Sequence, residues 1–350
     1  MVNTDDNKAV QLFIDSDVGV DDALAILWLA RQKNIKLLGI TTVCGNNSVQ
    51  DATNNALTVL DVINRQDIPV TMGAANPLVF PPIRFGQLIM GPDGLWGCQK
   101  KHDLARLPTD APAAIAAAAR KHPDMIIIAL GPATNLAQAV QRFPEEMANV
   151  RILMMANLPF QTLRGAIQGA GFNAYADPHA IDVLLNHPCD FTILGPGAID
   201  KVRVDNVDYL EKISKKTDPI NQFIFSILKP YFYAESLGQK QAVIIYDLVL
   251  AMIAAKKESI KETVSGFGKI SLHNDFTAGE ISVRTDPQGK IFLKHSKHDL
   301  SELARLTFSN QDFNLSKTMQ TLLDDIRDNI HLILEVDVDR IKTMIEQGFE

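Results

Sequence analysis

Residues Gln11 to Ala23 read QLFIDSDVGVDDA. An apolar run stops at Asp15-Ser16-Asp17, turns through Gly19 and delivers two more acids, Asp21 and Asp22. The run has the length of a buried strand, and a helical pattern follows from Asp21 to Arg31. Four carboxylates in one such turn repel one another. Partly buried, they need protons, hydrogen-bond donors or a cation.

The same strand-then-helix texture continues outward. IKLLGITTV, MIIIAL, VRILMMA and FTILG read as further buried strands, and Val49 to Asn64 as a second helical segment. This alternation predicts an α/β fold: a mainly parallel, doubly wound, Rossmann-like sheet flanked by helices. Near Gly266 the texture changes. KISLHN, GEISVRTDPQGKIFLKH and the turn Asp286-Pro287-Gln288-Gly289 predict a β-hairpin region appended near residues 262–295. NIHLILEVD and Val338 to Gln347 read as a last strand and helix of the main sheet. No linker rich in Gly, Ser or Pro interrupts the chain, so residues 1–350 are expected to form a single domain.

Composition narrows the class. The chain is 46% hydrophobic and 21% charged, enough to bury a large core. A formal net charge of -7 argues against a nucleic-acid partner. No apolar run is long enough for a bilayer span, so no membrane partner is expected either. MVNTDDNKAV has no basic region followed by an apolar one, and three cysteines (Cys44, Cys98, Cys189) include no CxxC pair. Both features fit a cytoplasmic chain.

In an open parallel sheet, ligands bind at the carboxyl ends of the strands. Asp15 ends the first strand and Asp21-Asp22 open the next helix, so the acidic turn lies at that edge. A helix N-terminus favours each anion by only ~0.3–1 kcal/mol, too little to hold several close carboxylates. A divalent ion can, and an all-oxygen donor set suits Ca²⁺ or Mg²⁺. The simpler alternative has Asp21 and Asp22 capping the helix, with Asp15 and Asp17 solvated. An EF-hand fits poorly, because its glycine and its closing Glu are out of place. A phosphohydrolase of the DxD type also begins this way, but continues differently after the second acid.

Other strand ends supply compatible groups. Cys44-Gly45-Asn46-Asn47 follows TTV, and Leu130-Gly131-Pro132-Ala133-Thr134-Asn135 follows MIIIA. Gly171-Phe172-Asn173 precedes a helix start at Asp177-Pro178, and Tyr246-Asp247 opens the run LVLAMIAA. Each alone is most simply a turn or cap residue; together they describe a site.

In this set the sequence resembles the inosine–uridine preferring nucleoside hydrolase family. The resemblance rests on Asp15-Ser16-Asp17-Val18-Gly19-Val20-Asp21-Asp22, Gly45-Asn46, Gly91-Pro92-Asp93-Gly94-Leu95, Gly131-Pro132-Ala133-Thr134-Asn135, Phe172-Asn173 with Asp177-Pro178, Asp247, and Val336-Asp337-Val338-Asp339-Arg340. It implies Ca²⁺-dependent hydrolysis of the N-glycosidic bond of a ribonucleoside, and a homodimer or homotetramer. Asp17, Asp22 and Asp247 would bind Ca²⁺ by side chain and Leu130 by its carbonyl, with Asp15 behind them. Asp21, Asn46 and Asn173 would hold ribose hydroxyls, and Asp17 would take a proton from water.

Four positions depart from the family pattern. Val18 replaces a usual proline, which is expected to loosen the turn at little cost. Met90 stands where many members have His. Gly171 replaces a Glu that binds the ribose 5′-hydroxyl, which is expected to open space there, with Gln168 or Asn157 as substitutes for the contact. Tyr246 replaces a His that is a candidate acid for the leaving base; it, Trp96, Tyr231 and Tyr233 are candidates for stacking on that base. These departures keep a second reading open, a metal- and ribose-binding relative without efficient turnover. No histidine falls at an expected site position.

Overall fold

The computed structural model describes residues 9–156, 161–163, 166–194, 197–238, 242–295, 297–308 and 315–349. Thirteen strands are described: β1 (Val10–Ser16), β2 (Ile35–Thr42), β3 (Val70–Met72), β4 (Ile126–Ala129), β5 (Arg151–Met154), β6 (Gln161–Leu163), β7 (Ala166–Gly169), β8 (Asp190–Leu194), β9 (Val204–Asp205), β10 (Ala242–Val243), β11 (Ile260–Ile270), β12 (Ile281–Arg284) and β13 (Ile330–Val336). Eleven of them form one sheet in the order β3-β2-β1-β4-β5-β8-β13-β11-β12-β7-β6. Every pairing from β3 to β13 is parallel, and every pairing from β13 through β11 and β12 to β6 is antiparallel.

The parallel half follows from period-two burial on both faces. Leu12, Ile14, Ile126 and Ile128 face one core, while Phe13, Ile127 and Ala129 face the other. The helices Val20–Arg31 and Tyr246–Ala255 belong to the first core and pack on each other. Thr134–Arg142 and Pro178–Leu185 cover the second. A sheet sheathed on both sides explains the unbroken apolar strand runs.

Chain order places the site. From β1 the chain moves outward through β2 to β3, then returns to add β4 on the other flank of β1. The β1/β4 boundary is thus a topological switch point, where a crevice opens beyond the strand ends. Asp15 pairs there with Thr41 of β2 and Ala129 of β4, and the Leu130 N–H donates to the Asp15 carbonyl at 2.8 Å.

The appended region is smaller in hairpin content than its sequence suggests. β11 and β12 do form an antiparallel hairpin, with Ile270 opposite Ile281. Asp286-Pro287-Gln288-Gly289, however, is not a turn between strands. Asp286 caps the helix Pro287–Lys294, accepting the Gly289 N–H at 2.7 Å, with Pro287 at the first helical position. GKIFLKH is therefore largely helical, and β12 pairs with β7 instead.

Candidate active site

The first helix starts at Val20 with Gly19 as its cap residue, and Asp22 serves that start. The Gly19 N–H donates to Asp22 Oδ2 at 2.8 Å and the Ser16 hydroxyl to Asp22 Oδ1 at 2.6 Å. Tyr246–Ala255 is buried from Asp247 to its end. Because these two helices pack together, their first turns bring Asp21, Asp22 and Asp247 side by side. One carboxylate oxygen from each lies within 4.8 Å of the other two.

Asp17, on the turn between strand and helix, lies near enough to feel the charges of Asp22 and Asp21. Its oxygens fall outside that group of three, which takes in Asp21 instead. Asp17 Oδ2 accepts the Asn46 N–H at 2.5 Å, while Oδ1 is buried without a hydrogen-bond partner. Asp21 Oδ1 is likewise buried and unpartnered. Burial, then the charges of Asp22 and Asp21, raise the Asp17 carboxyl well above its ordinary range. Burial and the neighbouring acids do the same to Asp21 and Asp247. Among the described residues no lysine or arginine forms an ion pair with any of them.

Asp15 lies one layer deeper. Its Oδ1 accepts from the Thr41 hydroxyl at 2.6 Å and from the Asn135 amide at 2.7 Å. Burial still pushes its carboxyl up to about 6. Asn135 also donates to the Thr42 carbonyl at 3.0 Å and accepts the Ala74 N–H at 2.9 Å, so it ties the end of β2 and the segment just after β3 to Asp15. The Leu130 carbonyl accepts from the Asn173 amide, which donates also to the Met155 carbonyl at 2.9 Å. A carbonyl has two lone pairs, so that bond leaves one for another partner.

The donor set is thus buried, all oxygen and without a cationic partner among the described residues. Orphaned oxygens on Asp17 and Asp21 and a free lone pair on Leu130 are what a hard divalent cation takes up. The residues present fit such an ion.

Above this floor lies a cavity of about 300 Å³. Asp21, Asn46, Leu130, Asn173 and Asp247 line it, together with Tyr231, Tyr246 and the apolar side chains Phe85, Ile89, Met90 and Phe172. No histidine does so among the described residues.

Two stacking candidates lie elsewhere. Tyr233 is 72% exposed, because it falls between Tyr231 and Glu235 on the other face of the helix Pro219–Glu235. Trp96 packs over Gly91 and donates its indole N–H to the Ile89 carbonyl at 3.0 Å. Both line a separate groove with Pro230 and Phe232. Asn157 lies outside the described residues, as does the side chain of Gln168.

Two further expectations need correction. Gly171 does not open space, since a Cβ there would lie 2.8 Å from the Ala156 carbonyl carbon. Val18 is more than a loosened turn. It is buried with φ of 21°, which proline cannot adopt and which a β-branched residue holds under strain. Glu235 also lines the cavity. The sequence reading passed over it, for nothing but its distance from a preceding Tyr distinguishes it from a surface helix residue.

Known proteins resemble this chain in sequence and in fold. Uridine nucleosidase 1 of Arabidopsis thaliana is 33% identical over 207 residues, spanning 58% of this chain and 61% of that protein, less than two thirds of its length. The non-specific ribonucleoside hydrolase RihC of Salmonella paratyphi C is 29% identical over 293 residues, 81% of this chain and 90% of that one. Two solved structures share the fold. An inosine-guanosine nucleoside hydrolase has a TM-score of 0.74 at 21% identity, covering 96% of this chain and 97% of its own. A plant nucleoside hydrolase has a TM-score of 0.75 at 20% identity, covering 97% and 98%. A family model described as inosine-uridine preferring nucleoside hydrolase matches residues 12–343. By that near-complete match, the chain belongs to the inosine–uridine preferring nucleoside hydrolase family.

Proposed function

We propose that this protein hydrolyses the N-glycosidic bond of ribonucleosides, releasing ribose and free base, with Ca²⁺ as its metal ion. The observation that carries the reading is the buried floor of carboxylates with unpartnered oxygens and, among the described residues, no cationic side chain, set beneath a cavity at the sheet's switch point. Asp17, Asp22, Asp247 and the Leu130 carbonyl hold the ion. When bound, it offsets their charge and makes water at the floor more acidic.

Asp17 has two tasks. Its unpartnered Oδ1 accepts the proton that water gives up on attack, while the Asn46 N–H keeps the other oxygen fixed. Asp21, Asn46 and Asn173 line the cavity next to this floor and hold ribose hydroxyls there. Charge on the sugar becomes positive as the C1′–N bond lengthens, as in other glycosyl transfers. Fixed carboxylates favour that state over the neutral ground state. Three free cysteines support a reducing, cytoplasmic setting.

Reducing-sugar release from a panel of inosine, uridine, guanosine and cytidine tests the reading, with and without a chelator. Ribose released in Ca²⁺ and lost with chelator supports it. Binding of nucleosides without release would assign the protein to the non-catalytic alternative, and phosphate release from nucleotides to the DxD-type phosphohydrolases.

A further inference from the structure

The polar side chains lining the cavity come from two parts of the chain, which adjoin at Asp21. One is the floor just described. The other lies on the helix Pro219–Glu235, which ends at the cavity with Tyr231 and Glu235 one turn apart on the same face. Tyr231 is fully buried and its hydroxyl has no hydrogen-bond partner. Tyr246 joins them from the neighbouring helix. Phe85, Ile89, Met90 and Phe172 offer only apolar surface. A nucleoside fixed at the floor by its ribose therefore meets, with its base, one carboxyl and two phenols.

We propose that Glu235 contacts the nucleobase and delivers the proton that lets it leave, with Tyr231 holding the base for the transfer. The assignment rests on the hydrolase reading above. It gives the leaving base an acid in a cavity with no histidine among its described lining. Glu235 lacks an ion pair among the described residues, and burial pushes its carboxyl up, the direction an acid catalyst needs. Asp21, Tyr231 and Tyr246 feel its charge, Arg203 acts on Tyr246, and burial alone moves the Glu235 carboxyl itself.

The step balances. The C1′–N bond breaks with its electron pair going to the base, and the Glu235 carboxyl proton goes to the same base. Water adds its oxygen to C1′ and yields a proton to Asp17. Glu235 ends ionised and Asp17 protonated, and both return to their starting states by exchange with solvent. The chemistry suits ribonucleosides whose neutral purine or pyrimidine is a poor anion.

Full-length wild type and Glu235→Gln, both in Ca²⁺, are compared on inosine, uridine and 4-nitrophenyl β-D-ribofuranoside, whose leaving group needs no proton. The expected result is a fall in the ratio of nucleoside to nitrophenyl-riboside kcat by about 10²-fold or more, the scale of a lost acid catalyst. The nitrophenyl substrate also reports that the variant is folded. An unchanged ratio, whether both rates fall together or neither does, overturns the Glu235 assignment alone. A wild type that cleaves none of the three substrates overturns it together with the hydrolase reading.

Discussion

A single hydrogen atom at residue 45 decides how Asp17 is held. A Cβ on Gly45 would lie 2.1 Å from Asp17 Oδ2, so any side chain there must push the carboxylate away. Gly45→Ala is therefore expected to lower kcat by about 10²-fold, the usual penalty for a displacement near 1 Å. Steady-state kinetics beside a thermal melt will show whether the loss is local. On the proposed reading, Asp17 and Asp21 separate the two tasks of the floor. Asp17→Asn is expected to weaken Ca²⁺ binding at least tenfold and abolish turnover, while Asp21→Asn raises KM and leaves Ca²⁺ binding within about threefold, a coordinating carboxylate being the stronger partner. Calorimetric titration of each variant checks the split. Equal losses of metal would place Asp21 among the ligands, where the proximity of its oxygen to Asp22 and Asp247 makes it a competitor. At this scale the sequence was a good guide wherever an acid or amide followed a buried strand. It misjudged Gly171, because the obstacle is the backbone of Ala156, distant in sequence and contributing no side chain to read.

Two helix starts, held together by their buried faces, set the geometry of the acids. Val20–Arg31 and Tyr246–Ala255 pack on each other, and Leu250 is fully buried in the second. Leu250→Ala is expected to cost about 2–5 kcal/mol, read by urea unfolding, and to loosen Asp247 before the fold is lost. The strands and these helices were legible because apolar runs and turn residues mark them locally. Elements defined by partners were not. β6 and β7 are short and owe their place to pairing with each other and β12. DPQG is compatible with a β-turn or with a capped helix, and packing beyond the hairpin selects the helix. Along Pro219–Glu235, a helix of 17 residues, phase rather than composition decides that Tyr231 and Glu235 face the cavity and Tyr233 the solvent.

For the molecule as a whole, the acidic floor makes stability depend on pH and metal together. Without an ion, burial raises the carboxyls of Asp15, Asp17, Asp21, Asp22 and Asp247. The folded chain then binds protons that the unfolded chain releases. Stability from these groups is present below the unfolded carboxyl pKa and is lost as pH rises through the folded values, from about pH 4 upward. The metal-free protein is therefore expected to melt at lower temperature at pH 7 than at pH 5, and added Ca²⁺ to raise Tm more at the higher pH. The described residues include no helix long and apolar enough to cross a membrane. The central claim is that these acids share one divalent ion. Its most direct test is calorimetric titration of Ca²⁺ into chelator-stripped wild type and Asp22→Asn/Asp247→Asn. A single saturable site in the wild type, with a matching rise in Tm and neither in the variant, is the predicted result. No binding heat and no change in Tm in the wild type would contradict it.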